Sequence, residues 1–143
     1  MAGRHRAVTS LTSAQVDDLM GLYASVWWAT DRRRVDVERI LASTDLVVGL
    51  VDDDERLVAF ARVLTDETYV ALVLDVIVAE PHRGELLGAA LMEAVLAEPR
   101  LERVRSVELV CQPELVGFYE RWGFTADVGR SLLLRRAGPT RSG

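Results

Sequence analysis

Residues 69–80, YVALVLDVIVAE, run almost without a break through apolar side chains, and after Pro81 the stretch HRGELLGAAL turns at once into helix formers. A Val-rich run of this length without polar alternation reads as a strand covered on both faces. A covered strand that leads through a short turn into a helix is the first half of a β-α-β crossover. The strand that follows the helix should then lie parallel to the first, with a right-handed connection. Helices are expected over both faces of the sheet that contains this pair.

The rest of the chain can be fitted around that unit. Thr12 and Gln15 have capping-box spacing, and Val16, Leu19, Met20, Tyr23, Val26 and Trp27 follow at helical period. Trp27 fits the apolar stripe and is expected in the core. Within RRRVDVERILAS, Val37, Ile40 and Leu41 share one face of a second, shorter helix. The period then shortens: DLVVGLV and LVAFARVLT flank VDDDER, a β-hairpin whose acidic tip reads as a solvated turn. Beyond the crossover helix, VRSVELVC reads as a strand with Cys111 as a small buried hydrophobe. PELVGFYERWG reads as a helix with Pro113 in its first turn, and GFTADVGRSLLLRR as a closing strand pair. The order α, α, β, β, β, α, β, α, β describes an α/β chain with a mixed sheet. Residues 1–7 and 137–143 read as loose termini, and the whole as a single domain.

Composition removes several classes of function. Half of the 143 residues are hydrophobic, which is too many for a disordered chain. The net charge of −5 argues against a nucleic-acid partner. A single cysteine, Cys111, permits no intramolecular disulfide and favours a cytoplasmic setting. No apolar run reaches the ~18 residues of a membrane helix, and MAGRHRAVTS lacks the apolar centre of a secretory signal. His5 and His82 are the only histidines, so no metal site is expected.

The turn HRGELLGAAL admits two readings. One is a tight strand-to-helix turn without a ligand. The other is an anion site, where free N–H groups at a helix N-terminus meet phosphate. Gly84 and Gly88 leave room for close approach, and Arg83 adds a cation that can fork onto phosphate. For the second reading Leu86 has to point into the core and Glu85 outward.

The order of elements, the strand-turn-helix DVIVAEPHRGELLGAALM and the later FYERWGF together resemble the GCN5-related N-acetyltransferase family. The resemblance spans most of residues 45–136. It implies an acyl-CoA N-acyltransferase fold and transfer of an acetyl group from acetyl-CoA to a primary amine of a small molecule or protein. Arg83 and Gly88 match the ends of the family's pyrophosphate loop, and Leu86 stands where the family has its middle glycine. Gly84, Leu86, Gly88 and Ala89 are the implied pyrophosphate contacts beside Arg83. Val76 and Val78 match positions whose backbone pairs with the pantetheine arm, the N–H of Val76 being the implied oxyanion donor. Gln112 stands where an asparagine often contacts CoA, and Tyr119 matches the tyrosine that protonates the departing thiolate. Paired subunits, through the final LLLRR strand, are a further possibility. An alternative is a regulatory module that holds CoA or acyl-CoA without turnover, for which Leu86 and Glu85 are the arguments and Tyr119 the counter-argument.

Outside these motifs, Asp75 is the only charge within VALVLDVIVA. A buried carboxylate needs a partner, because an unpaired one costs several kcal/mol. It is either salt-bridged, with Arg62 the nearest choice, or placed in a wet cleft where it binds or deprotonates the amine. Trp28 falls off the helical stripe and either lines an acceptor opening or packs on the sheet. Arg32, Arg33 and Arg34 read as a solvated face.

Overall fold

The computed structural model describes residues 4–82 and 86–139. The chain divides into two compact units, the first ending at Val110 and the second beginning at Cys111.

The first unit holds a five-stranded sheet in the order β1-β2-β3-β4-β5. Its strands are β1 (Arg6–Val8), β2 (Leu46–Val51), β3 (Leu57–Thr65), β4 (Val70–Val78) and β5 (Ser106–Leu109). The first three neighbouring pairs are antiparallel, and β4 with β5 is parallel. The crossover between them is α3 (Leu87–Leu96). Part of the supposedly loose N-terminus is therefore a strand, with Arg6–Val8 paired to β2 as the sheet's edge.

The expected alternation sorts the sheet's two faces. Val48, Leu50, Ala61 and Val63 turn to α3, where Leu87, Leu91 and Val95 meet them. Val47, Val51, Phe60 and Ile77 turn the other way, onto α1 (Ser13–Ala24) and α2 (Arg34–Ser43), meeting Leu19, Leu22, Tyr23 and Val37. Each fully buried aliphatic or aromatic side chain in these layers contributes about 1.5–3 kcal/mol.

Thr12 caps α1 as its spacing implies. Its hydroxyl accepts from the Gln15 N–H and the Gln15 side chain accepts from the Thr12 N–H. Gln15 is buried because its amide also donates to the carbonyl of Glu55, tying the helix start to the β2–β3 turn. Thr12→Ala should cost about 1 kcal/mol, read as a fall of roughly 3 °C in Tm.

Trp27 departs from expectation. The α1 helix stops at Ala24, where the Ser25 hydroxyl and N–H turn back to the last carbonyls, so the helical period never reaches Trp27. Trp27 is 76% exposed, and Ala29 takes the buried place after the turn.

In the second unit a 3-10 turn, Pro113–Leu115, leads into α4 (Val116–Glu120). Here the helix is shorter than PELVGFYERWG suggested. No strand forms among the described residues after Phe124, so the expected closing pair is absent there. Three consecutive leucines, Leu132, Leu133 and Leu134, are exposed instead. Cys111 lies beyond the end of β5 and is only partly buried.

Candidate active site

Two irregularities in β4 shape the site. Its ladder with β5 runs from Val70↔Ser106 to Val73↔Leu109 and stops, while β4 itself continues to Val78. On the other side, the register with β3 steps from Phe60↔Ile77 to Arg62↔Leu74, so Ala61 alone stands opposite Asp75 and Val76. An extra residue of this kind is a β-bulge, which bends a strand and re-aims its groups. Asp75 carries it with φ +54°, in the left-handed region. That conformation costs an L-residue about 1–2 kcal/mol, less for aspartate than for most.

The bulge also changes which face each side chain takes. Ala71 and Val73 belong to the α3 layer, and beyond the bulge Val76 and Val78 pack against that same layer. Asp75, which would share Val73's face in a regular strand, is delivered to the α1 side.

There its carboxylate is tightly held. Asp75 Oδ2 accepts from Tyr23 Oη at 2.8 Å, Arg32 Nη1 at 2.6 Å and Arg62 Nε at 2.7 Å, and Oδ1 accepts from Arg32 Nη2 at 3.2 Å. Its side chain is 6% exposed, against 14% for Arg62 and 27% for Arg32. Arg62 also donates to Thr44 Oγ1 at 3.3 Å. The Arg32 guanidinium sits 4.5 Å from the ring centre of Tyr23 and 5.4 Å from that of Trp28. Thus the salt bridge to Arg62 is present, and Arg32, expected on a solvated face, is a second partner. Trp28, 37% exposed, is the rim of this cluster.

Burial by itself would raise the Asp75 carboxyl, but hydrogen bonds from Arg32 and Arg62, with their charges, hold it below the usual carboxylate range. Burial first, and the neighbouring Asp75 charge second, push the Tyr23 phenol well up. A carboxylate so stabilised keeps its charge and is a poor proton acceptor.

At the other end of β4, the turn residues Arg83, Gly84 and Glu85 lie outside the described residues. Leu86 is the N-cap of α3 and makes no side-chain cap hydrogen bond. It is 81% exposed, not turned inward, because Leu87 already fills the core position one residue on. The first intrahelical bond runs from the Ala90 N–H to the Leu86 carbonyl at 3.0 Å. Gly88 and Ala89 sit in the first turn, among the N–H groups that a helix leaves without an internal acceptor.

In the second unit, Tyr119 is buried in α4 with its ring edge-on to Phe118 and Phe124. Its hydroxyl meets no hydrogen-bond partner among the described residues. Burial, with a smaller contribution from Cys111, pushes its phenol up to about 12. Gln112 is the N-cap of the 3-10 turn, and its carbonyl accepts from the Leu115 N–H at 2.9 Å, leaving its side chain uncommitted to the cap. Burial followed by the Glu114 charge raises the Cys111 thiol, the opposite of an activated nucleophile.

These shifts fix a stability profile. Asp75 is lowered on folding, so its contribution is complete above the unfolded value of ~3.9 and is lost as pH falls through the folded value. Tyr119 is raised, so its contribution is complete below ~10 and is lost as pH climbs toward about 12. Urea midpoints measured against pH should fall at both extremes. The gap between wild type and Asp75→Asn should narrow below pH ~4, where the carboxylate's advantage disappears.

Sequence reasoning missed Tyr23 and Arg32. Tyr23 lies on the apolar stripe and reads as core, which it also is. Arg32 sits in a run of three arginines, and only the bulge's change of face brings the carboxylate to it.

Comparison with known proteins identifies the family. The profile of the acetyltransferase (GNAT) domain matches residues 44–126. Serotonin N-acetyltransferase 2, chloroplastic, of Oryza sativa subsp. japonica is 36% identical over 132 residues, covering 89% of this chain and 65% of that protein. The uncharacterized N-acetyltransferase ycf52 of Porphyra purpurea is 28% identical over 113 residues, covering 77% of this chain and 64% of that protein. The chain therefore spans just under two thirds of the length of these curated relatives. A solved GNAT-family structure from Xanthomonas campestris pv. campestris aligns with a TM-score of 0.82 at 32% identity, over 95% of this chain and 94% of that one. The chain belongs to the GCN5-related N-acetyltransferase family.

Proposed function

We propose that this chain transfers the acetyl group of acetyl-CoA directly to the primary amine of a small molecule with a flat or apolar body. The observation that carries the reading is the end of β4–β5 pairing at Val73 while β4 continues to Val78. A strand released from its parallel neighbour offers backbone groups to an extended amide-bearing ligand, which adds to it like another strand. The pantetheine arm of acetyl-CoA has that chemistry. By family resemblance its pyrophosphate meets the first turn of α3, where Gly88 has no side chain and Leu86 makes no cap hydrogen bond. The exposed Leu86, not turned inward as the anion reading required, weighs against this part of the reading.

In the reaction the amine nitrogen bonds to the thioester carbonyl carbon, the C–S bond breaks, and the sulfur leaves with a proton. In this reading the Val76 N–H, beside the bulge, donates to the carbonyl oxygen as charge builds there, the role that the family resemblance implies. By family resemblance Tyr119 donates the proton to sulfur, and a phenol raised to about 12 is fully protonated at neutral pH. With Asp75 committed to two guanidiniums, loss of the amine's proton falls to water.

Trp28 supports the choice of acceptor, since an exposed indole beside the site favours stacking with a planar amine. A relative named for serotonin, itself an indole amine, points the same way. The test pairs calorimetric titration of acetyl-CoA with a free-thiol assay over serotonin and other arylalkylamines, polyamines, aminoglycosides and lysine- or N-terminal-amine peptides. Micromolar binding that is lost in Gly88→Trp, with turnover confined to aromatic amines, is the expected result. Tight binding with no thiol release from any amine would favour a non-catalytic CoA-binding module. Failure to bind acetyl-CoA would overturn the reading.

A further inference from the structure

Three separate elements converge on the Asp75 carboxylate: α1 through Tyr23, β3 through Arg62, and the α1–α2 connection through Arg32. It is also the residue of β4 with a left-handed backbone, at the point where Ala61 faces two partners. A bulge is held in place by whatever fixes its extra residue. Here that is a buried carboxylate receiving four hydrogen bonds. A general base, by contrast, needs an accessible lone pair and an affinity for protons near the working pH.

We propose that Asp75 is a positioning residue: clamped by Arg32 and Arg62, it fixes the bulge and so the aim of the neighbouring Val76 N–H. Arg32 extends the clamp to the acceptor side, because the same guanidinium lies against the Tyr23 and Trp28 rings. Acceptor recognition and oxyanion contact are thereby referred to one fixed carboxylate. The inference rests on the acetyl-transfer reading above for the role of Val76, and on the described geometry alone for the clamp.

The test uses Arg32→Ala, Asp75→Asn and Asp75→Gly in the full chain. The glycine variant removes the carboxylate while tolerating the left-handed backbone, so it separates the clamp from simple backbone strain. With the best acceptor of the panel, Arg32→Ala should lower kcat about ten- to a hundredfold and raise the amine KM. The acid limb of its pH–rate profile should stay in place. A base role predicts otherwise: loss of the cation would make Asp75 more basic and move that limb to higher pH, and Asp75→Asn would abolish the limb. Either of those results overturns the proposal.

A second measurement needs no turnover. Hydrogen–deuterium exchange on ligand-free protein should quicken across residues 74–78 in Asp75→Gly and Arg32→Ala, with β2 unchanged. Unaltered exchange there overturns the clamp whatever the assay reads. If the wild type acetylates no amine but exchange responds as expected, the clamp stands and the acetyl-transfer reading is the one that falls.

Discussion

Asp75→Ala is expected to lower the unfolding free energy by about 3–5 kcal/mol, the usual cost of removing one partner from a buried ion pair. The loss is large because the variant leaves Arg62, whose side chain is only 14% exposed, without its carboxylate. Arg32 is less costly to orphan, since its partly exposed guanidinium can turn to water. The alanine also has to keep φ near +54°, where its Cβ is strained. Urea denaturation followed by circular dichroism reads the effect. Adding Arg62→Leu should recover part of the loss, because the unpaired buried cation is the expensive species. No recovery would mean that the bulge's backbone, and not the charge, dominates. Asp75→Asn should be milder than Asp75→Ala, since asparagine tolerates the left-handed region and keeps one acceptor oxygen.

The largest effect on rate is expected from Tyr119→Phe. The substitution removes one hydroxyl oxygen that keeps some access to solvent, and leaves the buried ring packing against Phe118 and Phe124 in place. Stability should change little, because the hydroxyl meets no partner among the described residues. As a lost general acid it should lower kcat about a hundredfold, at the lower end of the usual range, because a thiolate is already a good leaving group. Binding of acetyl-CoA should be unchanged. The wild-type rate should show no alkaline loss attributable to Tyr119 below pH ~10, since the phenol is raised to about 12. A kcat within twofold of wild type would remove Tyr119 from the chemistry and return it to the role of a packed aromatic.

Much of the fold was legible because it rests on period and punctuation. The capping box at Thr12, the hairpin of β2 and β3, and the strand-turn-helix from β4 to α3 all follow from local residue choice. The errors come from places where local pattern is neutral. Trp27 continues the apolar stripe of α1 in sequence, yet Ser25 ends the helix by returning to carbonyls, which periodicity alone does not register. Leu86 and Leu87 are equivalent by composition, and only the helix geometry decides that the second fills the core and the first is exposed. For the site, Asp75 stood out because a lone charge in an apolar strand requires a partner. Arg62 was legible as one partner, but Tyr23 and Arg32 were hidden because a bulge in an apolar strand leaves no mark in composition.

That bulge gives β4 two reading frames. Up to Val73 the odd-numbered residues face α3, and from Val76 onward the even-numbered ones do. A one-residue deletion in the first half of the strand would thus be repaired by straightening the bulge, at the expense of the left-handed aspartate. A deletion after Val76 would be absorbed in the same way, and in either case only the residues between the deletion and the former bulge change face. Substitution tolerance along this strand is therefore governed by a parity that reverses midway, and designs or alignments that carry one parity through β4 will misassign half of its side chains.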